Sequence, residues 1–134
     1  MNAATTIPQP TDEPVRPCDP FTYRDVMGAF PTGVAVMTVG RQGGFRLGVT
    51  ASSFNTVSLD PPLILWSLAL RAPSLAAFRA HEHFGVNVLA AEQAEVALGF
   101  ARPSADRFAG VQTEAGETGV PLLRGALAQI ECRV

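Results

Sequence analysis

Apolar residues change their spacing several times along this chain, and each change marks an element. Tyr23, Val26, Met27 and Phe30 recur at helical spacing, so the pattern predicts one apolar helix face. Asp19 is placed to cap that helix with Pro20 at its first position, and Pro31 ends it, because the residue before a proline avoids the α region. Val34 to Val39 is a β-branched apolar run, Arg41-Gln42-Gly43-Gly44 is a turn signal, and Phe45 to Ala51 resumes as a strand; together they predict a hairpin. Leu63 to Leu70 is continuously apolar and short, and reads as a buried strand. Ser74 is a plausible cap for a short helix whose inner face is Leu75, Ala77 and Phe78. In Phe84 to Leu89 the residues Phe84, Val86 and Val88 alternate with Gly85, Asn87 and Leu89, the period of a strand.

Ala91 to Phe100 reads as a further helix, broken by Arg102-Pro103-Ser104, and Ser104 to Phe108 as a helical turn. Gly110 to Pro121 has little pattern and reads as a connection. From Gly125 to Val134 the alternation returns, with Ala126, Ala128, Ile130, Cys132 and Val134 on one face and Gln129, Glu131 and Arg133 on the other. The sequence ends while this strand is still running, without a turn residue or polar tail, which predicts a truncated chain. The order helix, hairpin, strand, helix, strand, helix, strand favours a mainly β, antiparallel barrel with short helices at its ends. A doubly wound parallel sheet is the alternative, and it lacks regular βαβ spacing.

Composition narrows the functional classes. The 134 residues suit one domain with a single core. The apolar fraction is 47% and the charged fraction only 16%, a combination that predicts extensive burial, including a subunit interface. Net charge is about −2, lysine is absent and the arginines are scattered, so neither a nucleic-acid footprint nor a polybasic membrane patch is present. Residues 1–19 are proline-rich and polar and are expected to be a disordered leader, with the domain spanning 20–134. No targeting segment is apparent, and the expected location is the cytoplasm. Cys18 and Cys132 read as two unpaired thiols, and His81 and His83 as residues closing a helix rather than binding a metal.

The stretch Gly48 to Pro62 (GVTASSFNTVSLDPP) places small and hydroxylated residues between two strongly apolar segments. Asp60-Pro61-Pro62 is expected to stop any ladder, since proline lacks an N–H. A Ser/Thr-rich loop and a strand that leaves its sheet to hold a polar ligand both fit. Fingerprints for dinucleotide folds, phosphate loops and serine-nucleophile elbows are absent, and no pair of carboxylates can be placed across a cleft. That inventory suits a protein binding a reactive cofactor, which needs backbone donors, hydroxyls, an apolar slot and a place for phosphate. Thr50, Ser52, Ser53, Ser67 and Ser74 match those needs, with Ser74 at a helix start that favours an anion.

The ordered set RDVMGAFPTG (Arg24 to Gly33), GVTASSF (Gly48 to Phe54), VSLDPP (Val57 to Pro62), SLAAF (Ser74 to Phe78), FGVNVL (Phe84 to Leu89), DRFAG (Asp106 to Gly110) and PLLRGALAQIEC (Pro121 to Cys132) resembles the flavin reductase family. These are the short flavin:NAD(P)H oxidoreductases with an FMN-binding split barrel. The resemblance spans about Phe21 to Val134. It implies a six-stranded antiparallel barrel, incomplete here at its C-terminal end, and a homodimer with flavin near the interface. FMN or FAD is the implied cofactor and NADH or NADPH the co-substrate, with reduced flavin supplied to a partner monooxygenase. Thr50, Ala51, Ser52 and Ser53 are implied to line the flavin ring and its phosphate arm, Ser67, Leu68 and Ala69 to follow the ring with backbone groups, and Pro73 and Ser74 to sit at the phosphate. No side chain is implied to be catalytic. Asn87 is expected to brace a loop rather than touch flavin, and Arg107 to form a surface ion pair in preference to reaching a phosphate. A non-catalytic flavin- or haem-binding relative and an inactive fragment are the alternatives. The family pattern continues with further strands and a Gly-Asp-His stretch that this sequence lacks.

Overall fold

The computed structural model describes residues 17–134; the expected disorder of the leader falls mostly outside them. Contacts divide the chain into one unit ending at Pro31 and a second running from Thr32 to Val134. The first holds helix α1 (Pro20–Gly28). Asp19 caps it as its sequence predicts: the carboxylate accepts from the Thr22 N–H at 2.9 Å and from the Thr22 hydroxyl at 3.0 Å. Those two hydrogen bonds hold the Asp19 carboxyl below its ordinary pKa.

The second unit is built on a four-stranded antiparallel sheet. Its strands are β1 (Ala35–Gly40), β2 (Arg46–Ala51), β5 (His83–Val88) and β8 (Ala128–Arg133), in the order β2-β1-β5-β8. Two small hairpins accompany it: β3 (Asn55–Leu59) with β4 (Pro62–Leu65), and β6 (Thr113–Ala115) with β7 (Pro121–Leu123). The helices are α2 (Leu75–Ala80) and α3 (Ala94–Ala101), the latter entered through a 3-10 turn at Ala91–Gln93. The architecture is antiparallel β with short helices, and among the described residues the ladders do not close into a barrel.

Strand alternation sorts the sheet into two covered faces. Ala35, Met37, Val39, Val49, Ala51, Phe84 and Val86 form one core with Phe78 of α2, and Trp66 packs edge-on to Phe78 with ring centroids 4.9 Å apart. Val36 lies on the opposite face with Phe100 of α3, Phe108 and Leu123 of β7. The sheet therefore sits between α2 with its preceding loop and α3 with the segment that follows it.

Asn87 braces the second face. It is fully buried, donates to the Val36 carbonyl at 2.9 Å and to Thr38 Oγ1 at 3.2 Å, and its Oδ1 accepts from the Leu123 N–H at 2.7 Å. Thr38 in turn donates to the Pro121 carbonyl at 2.6 Å. These bonds dock β7 on the sheet, in keeping with the bracing role expected for Asn87.

Several expectations fail, each for a physical reason. Leu63 to Leu70 is not a buried strand: only Pro62–Leu65 is strand, and Leu63, Leu65 and Leu70 are 48%, 58% and 82% exposed. A short apolar run does not specify what covers it. Asp60-Pro61-Pro62 does not stop a ladder but turns one, since Pro62 opposes Leu59 in the β3–β4 hairpin. Proline is tolerated at the start of such an edge strand. Gly110 to Pro121 is more than a connection, because it carries β6 and leads into β7. Ser104 to Phe108 forms no helix; Asp106 Oδ1 instead accepts from the Phe108 N–H at 2.9 Å and the Ser104 hydroxyl donates to the Asp106 carbonyl at 3.2 Å. The alternation of β8 is correct, but Ile130 remains 37% exposed on its apolar face.

Cys18 and Cys132 are both free, and burial pushes the Cys132 thiol up. His81 ends α2, with Nδ1 at 2.8 Å from the Ala77 carbonyl. Among the described residues no helix is long and apolar enough to cross a membrane, and no three His, Cys, Asp or Glu side chains gather as metal ligands would.

Candidate functional site

β2 is an edge strand, and its free edge opens into a cleft of about 440 Å³. One wall comes from the segment preceding α2, with Leu68, Ala72, Pro73 and Ser74. The other comes from the end of α3 and the turn after it, with Phe100, Ala101 and Ser104 to Phe108. The cleft thus wraps around the sheet edge, with one wall from each face.

Which backbone groups of β2 face the cleft follows from the ladder. In an antiparallel pair, alternate residues direct both N–H and C=O to the partner strand, and those between direct both away. The Gly48 carbonyl accepts from Arg107 Nη1 at 2.8 Å, so Gly48 belongs to the set pointing away from β1. Arg46 and Thr50 share its parity. The N–H groups of Gly48 and Thr50 are therefore directed outward, a row of donors along a groove wall.

The side chains of the same residues look onto the α3 face. The Arg46 guanidinium lies 4.5 Å from the centroid of Phe108 and donates to Thr113 Oγ1 at 3.3 Å. Glycine is the only residue type that fits position 48: a Cβ there would stand 2.5 Å from Phe100 Cε1 and 3.4 Å from Phe108 Cζ. Phe100 and Phe108 pack edge-to-face at 4.9 Å and are 1% and 3% exposed. Thr50 donates its hydroxyl to the Ala97 carbonyl of α3 at 2.6 Å, which pins the helix to the strand.

Of the residues singled out from sequence, the cleft brings together Thr50, Leu68, Pro73 and Ser74. Ala51, Ser52, Ser53, Ser67 and Ala69 do not line it. Ala51 points to the opposite core. Ser67 is in a loop, not a strand; its N–H donates to Ser53 Oγ at 2.9 Å and its carbonyl accepts from the Ser53 hydroxyl at 3.4 Å. That pair fastens the exit of β2 to the segment leading to α2. Ser74 is buried against the cleft and precedes α2, yet its hydroxyl does not cap the helix. Without a hydrogen-bond partner in the protein, this hydroxyl is not sealed from solvent and is open to a ligand.

Sequence reasoning missed Arg46, Gly48 as a contact point, Phe100, Asp106 and Phe108. Arg107 forms no ion pair, contrary to expectation; the one ion pair among the described residues is Arg124 with Glu114, at 3.2 Å and largely exposed. The available signal was period two along β2: Arg46, Gly48 and Thr50 share one face, and the DRFAG turn supplies an arginine beside an aromatic ring. The donor set is backbone N–H, hydroxyl and guanidinium, with apolar walls and a single carboxylate, Asp106, engaged with the Phe108 N–H. Such a site binds and orients a polar, anionic, ring-bearing ligand; it holds no nucleophile with a base beside it.

Comparison with known proteins agrees with this chemistry. The chain is 43% identical over 114 residues to the stachydrine N-demethylase reductase subunit Stc3 of Rhizobium meliloti (strain 1021), covering 85% of this chain and 50% of that protein. It is 41% identical to the FMN reductase (NADH) SmoA of Agrobacterium fabrum (strain C58 / ATCC 33970), covering 84% of this chain and 63% of that one. Among solved structures, the Streptomyces globisporus C-1027 NADH:FAD oxidoreductase SgcE6, in complex with NAD and FAD fragments, superposes with a TM-score of 0.82 at 44% identity, covering 91% of this chain and 73% of that one. The chain spans about a third to a half of the length of the first three curated relatives it matches. The family described as flavin reductase like domain matches residues 27–134, and the chain belongs to it.

Proposed function

We propose that this chain is the flavin-binding part of an NAD(P)H-dependent flavin oxidoreductase that supplies reduced FMN or FAD to a partner monooxygenase. The observation that carries the reading is the cleft along the free edge of β2, with outward N–H groups at Gly48 and Thr50 and a solvent-reachable, uncommitted hydroxyl at Ser74. The residue types fit a flavin: backbone donors for the ring's polar edge, apolar walls for its faces, and hydroxyl and cationic groups for phosphate. When bound, flavin supplies the acceptor for a hydride from the nicotinamide.

The protein's part is positional and electrostatic. Thr50 holds β2 against α3 through the Ala97 carbonyl, so its N–H is fixed in direction before a ligand arrives. The Ser53–Ser67 bonds set the spacing between β2 and the loop carrying Leu68 and Ala69, with Ala51 and Ser52 joining them at the strand exit. Pro73 and Ser74 lie where a phosphate would meet the start of α2. No side chain of the cleft needs to move a proton, and the cleft's lining offers no acid–base pair.

A homodimer is part of the same reading. The β3–β4 hairpin exposes apolar side chains on both its faces, Leu63 and Leu65 (48% and 58%) on one and Leu59 (92%) on the other with Val57 (59%) at the bulge, and a second copy would cover this hairpin. The reading is tested by following NADH or NADPH absorbance with FMN or FAD present. Flavin-dependent loss of the reduced nucleotide supports it. Flavin binding without turnover would reassign the chain to a non-catalytic flavin-binding role, and no binding of either flavin would overturn the site.

A further inference from the structure

The charged side chains lining the cleft are Arg46, Asp106 and Arg107, two positive and one negative. Arg107 stands nearest the donors given to the ring. Its Nη1 donates to the Gly48 carbonyl at 2.8 Å, and that carbonyl leaves β2 on the same edge as the Gly48 and Thr50 N–H groups. Those two N–H groups are about 7 Å apart at the rise of an antiparallel strand, with the Gly48 carbonyl between them along the chain. The guanidinium therefore meets the edge within one residue's length of either donor.

Nothing among the described residues cancels this charge. Arg107 is half-buried, which limits its screening by water, and it forms no ion pair. Asp106 is its neighbour in sequence, but Asp106 Oδ1 accepts from the Phe108 N–H and its carboxylate forms no ion pair either. Arg46, the other cation, rests on the Phe108 ring at 4.5 Å and lies two residues from Gly48 along β2.

Reduction changes the charge of a flavin far more than its outline. A hydride passed from the nicotinamide brings two electrons and one proton, and the nicotinamide leaves oxidised. The flavin then carries one more negative charge, which rests on the polar edge of the ring, the edge given to the strand's N–H groups. A fixed cation beside those donors separates the two redox states energetically without any side chain moving a proton.

We propose that Arg107 makes this cleft hold reduced flavin more tightly than oxidised flavin and so raises the reduction potential of the bound flavin. The inference rests on the cleft being the flavin site, and it adds a control on release: reduction tightens the complex, so reduced flavin stays until a partner draws it off.

The test is anaerobic titration of oxidised and of dithionite-reduced FMN into the full chain, with the potential of bound FMN measured by spectroelectrochemistry at the same pH. Wild type is expected to bind reduced FMN about tenfold more tightly than oxidised FMN, which places the bound potential about 30 mV above that of free FMN for a two-electron couple. Arg107→Gln keeps a donor for the Gly48 carbonyl and removes the charge. It is expected to weaken reduced FMN about tenfold and oxidised FMN less than twofold, returning the potential to the free value. Arg107→Lys keeps the charge and is expected to retain most of the shift, a rescue that a merely structural role would not give. Equal weakening of both redox states by Arg107→Gln would place Arg107 at the phosphate and overturn the proposal. A potential for Arg107→Lys equal to that for Arg107→Gln would overturn it too, since charge would not be the cause. The wild-type ratio needs no variant: a bound potential at or below that of free FMN overturns the proposal by itself. Failure of oxidised FMN to bind wild type would overturn the flavin site, a result distinct from loss of the redox preference.

Discussion

Gly48→Ala isolates the contact that shapes the cleft floor. The new methyl would stand 2.5 and 2.6 Å from Phe100 Cε1 and Cδ1, so the ring must retreat by nearly an ångström to restore ordinary contact. It has little room, because Phe100 is 1% exposed and packs edge-on against Phe108, itself 3% exposed. Overpacking of this kind costs about 1–3 kcal/mol, and the locked ring pair argues for the upper end. Replacing glycine by alanine in a strand returns roughly 0.5–1 kcal/mol of backbone entropy. A net loss of about 2 kcal/mol follows, or roughly 8 °C in Tm for a chain of this size. Thermal and urea melts of wild type and variant measure it. Gly99→Ala is the matched control: Gly99 is exposed on α3 and a methyl there would meet nothing within 4 Å, so alanine should stabilise by about 0.5–1 kcal/mol. If Gly48→Ala melts at or above wild type while Gly99→Ala rises as expected, the packing of β2 against α3 is wrong as described.

Other consequences follow from single contacts. Asn87→Ala leaves the Leu123 N–H without its acceptor inside the core and removes two further bonds, so a loss of about 3 kcal/mol is expected from the urea midpoint. Glu131 sits against the Gly116–Gly119 turn, accepting from the Glu117 N–H at 2.7 Å, the Thr118 N–H at 2.8 Å and the Thr118 hydroxyl. Burial raises its pKa, but the Thr118 and Glu117 hydrogen bonds and the charge of His83 outweigh this and leave it below the ordinary value of 4.5. Its contribution to stability is then full above that value and lost as pH falls through the lower folded pKa; Glu131→Gln should flatten this part of the acid limb in melts taken between neutral and acid pH. Thr50→Val should cost about 1 kcal/mol through the Ala97 bond yet leave flavin affinity within about twofold, because the strand's N–H and not the hydroxyl faces the ligand. Leu59→Asp on the exposed hairpin should convert a dimer to a monomer in sedimentation; a dimer that persists would move the interface elsewhere.

How much of this was legible depended on whether a residue's partner was near in sequence. Val34 to Val39, Phe45 to Ala51, Phe84 to Leu89 and the alternation ending at Cys132 declare themselves, because each strand has two differently covered faces. The Asp19 cap is equally local. β6 and β7 are three residues each and are held by distant groups, Gln42 on Thr113, Thr38 on Pro121 and Asn87 on Leu123, so no local pattern announces them. Leu63 to Leu70 misleads for the opposite reason: its apolarity is real, but only Ile64, Trp66 and Leu68 pack on the core while Leu63, Leu65 and Leu70 stay exposed.

At the site, two of the hydroxyls singled out from sequence have partners within the protein itself. Those of Thr50 and Ser53 are spent on Ala97 and Ser67, and the polar groups left facing the cleft are backbone N–H groups, Ser74 and two arginines. Arg107 reaches Gly48 across 59 residues of sequence, a pairing that spacing cannot reveal.

The central claim is that flavin binds along the free edge of β2, on the N–H groups of Gly48 and Thr50. Amide hydrogen exchange, resolved by residue and compared with and without saturating FAD, tests it directly. Exchange at Gly48 and Thr50 should slow on binding, while the amides of β8, on the opposite edge of the sheet, should not change. Saturation by flavin with unchanged exchange at Gly48 and Thr50 would contradict the account.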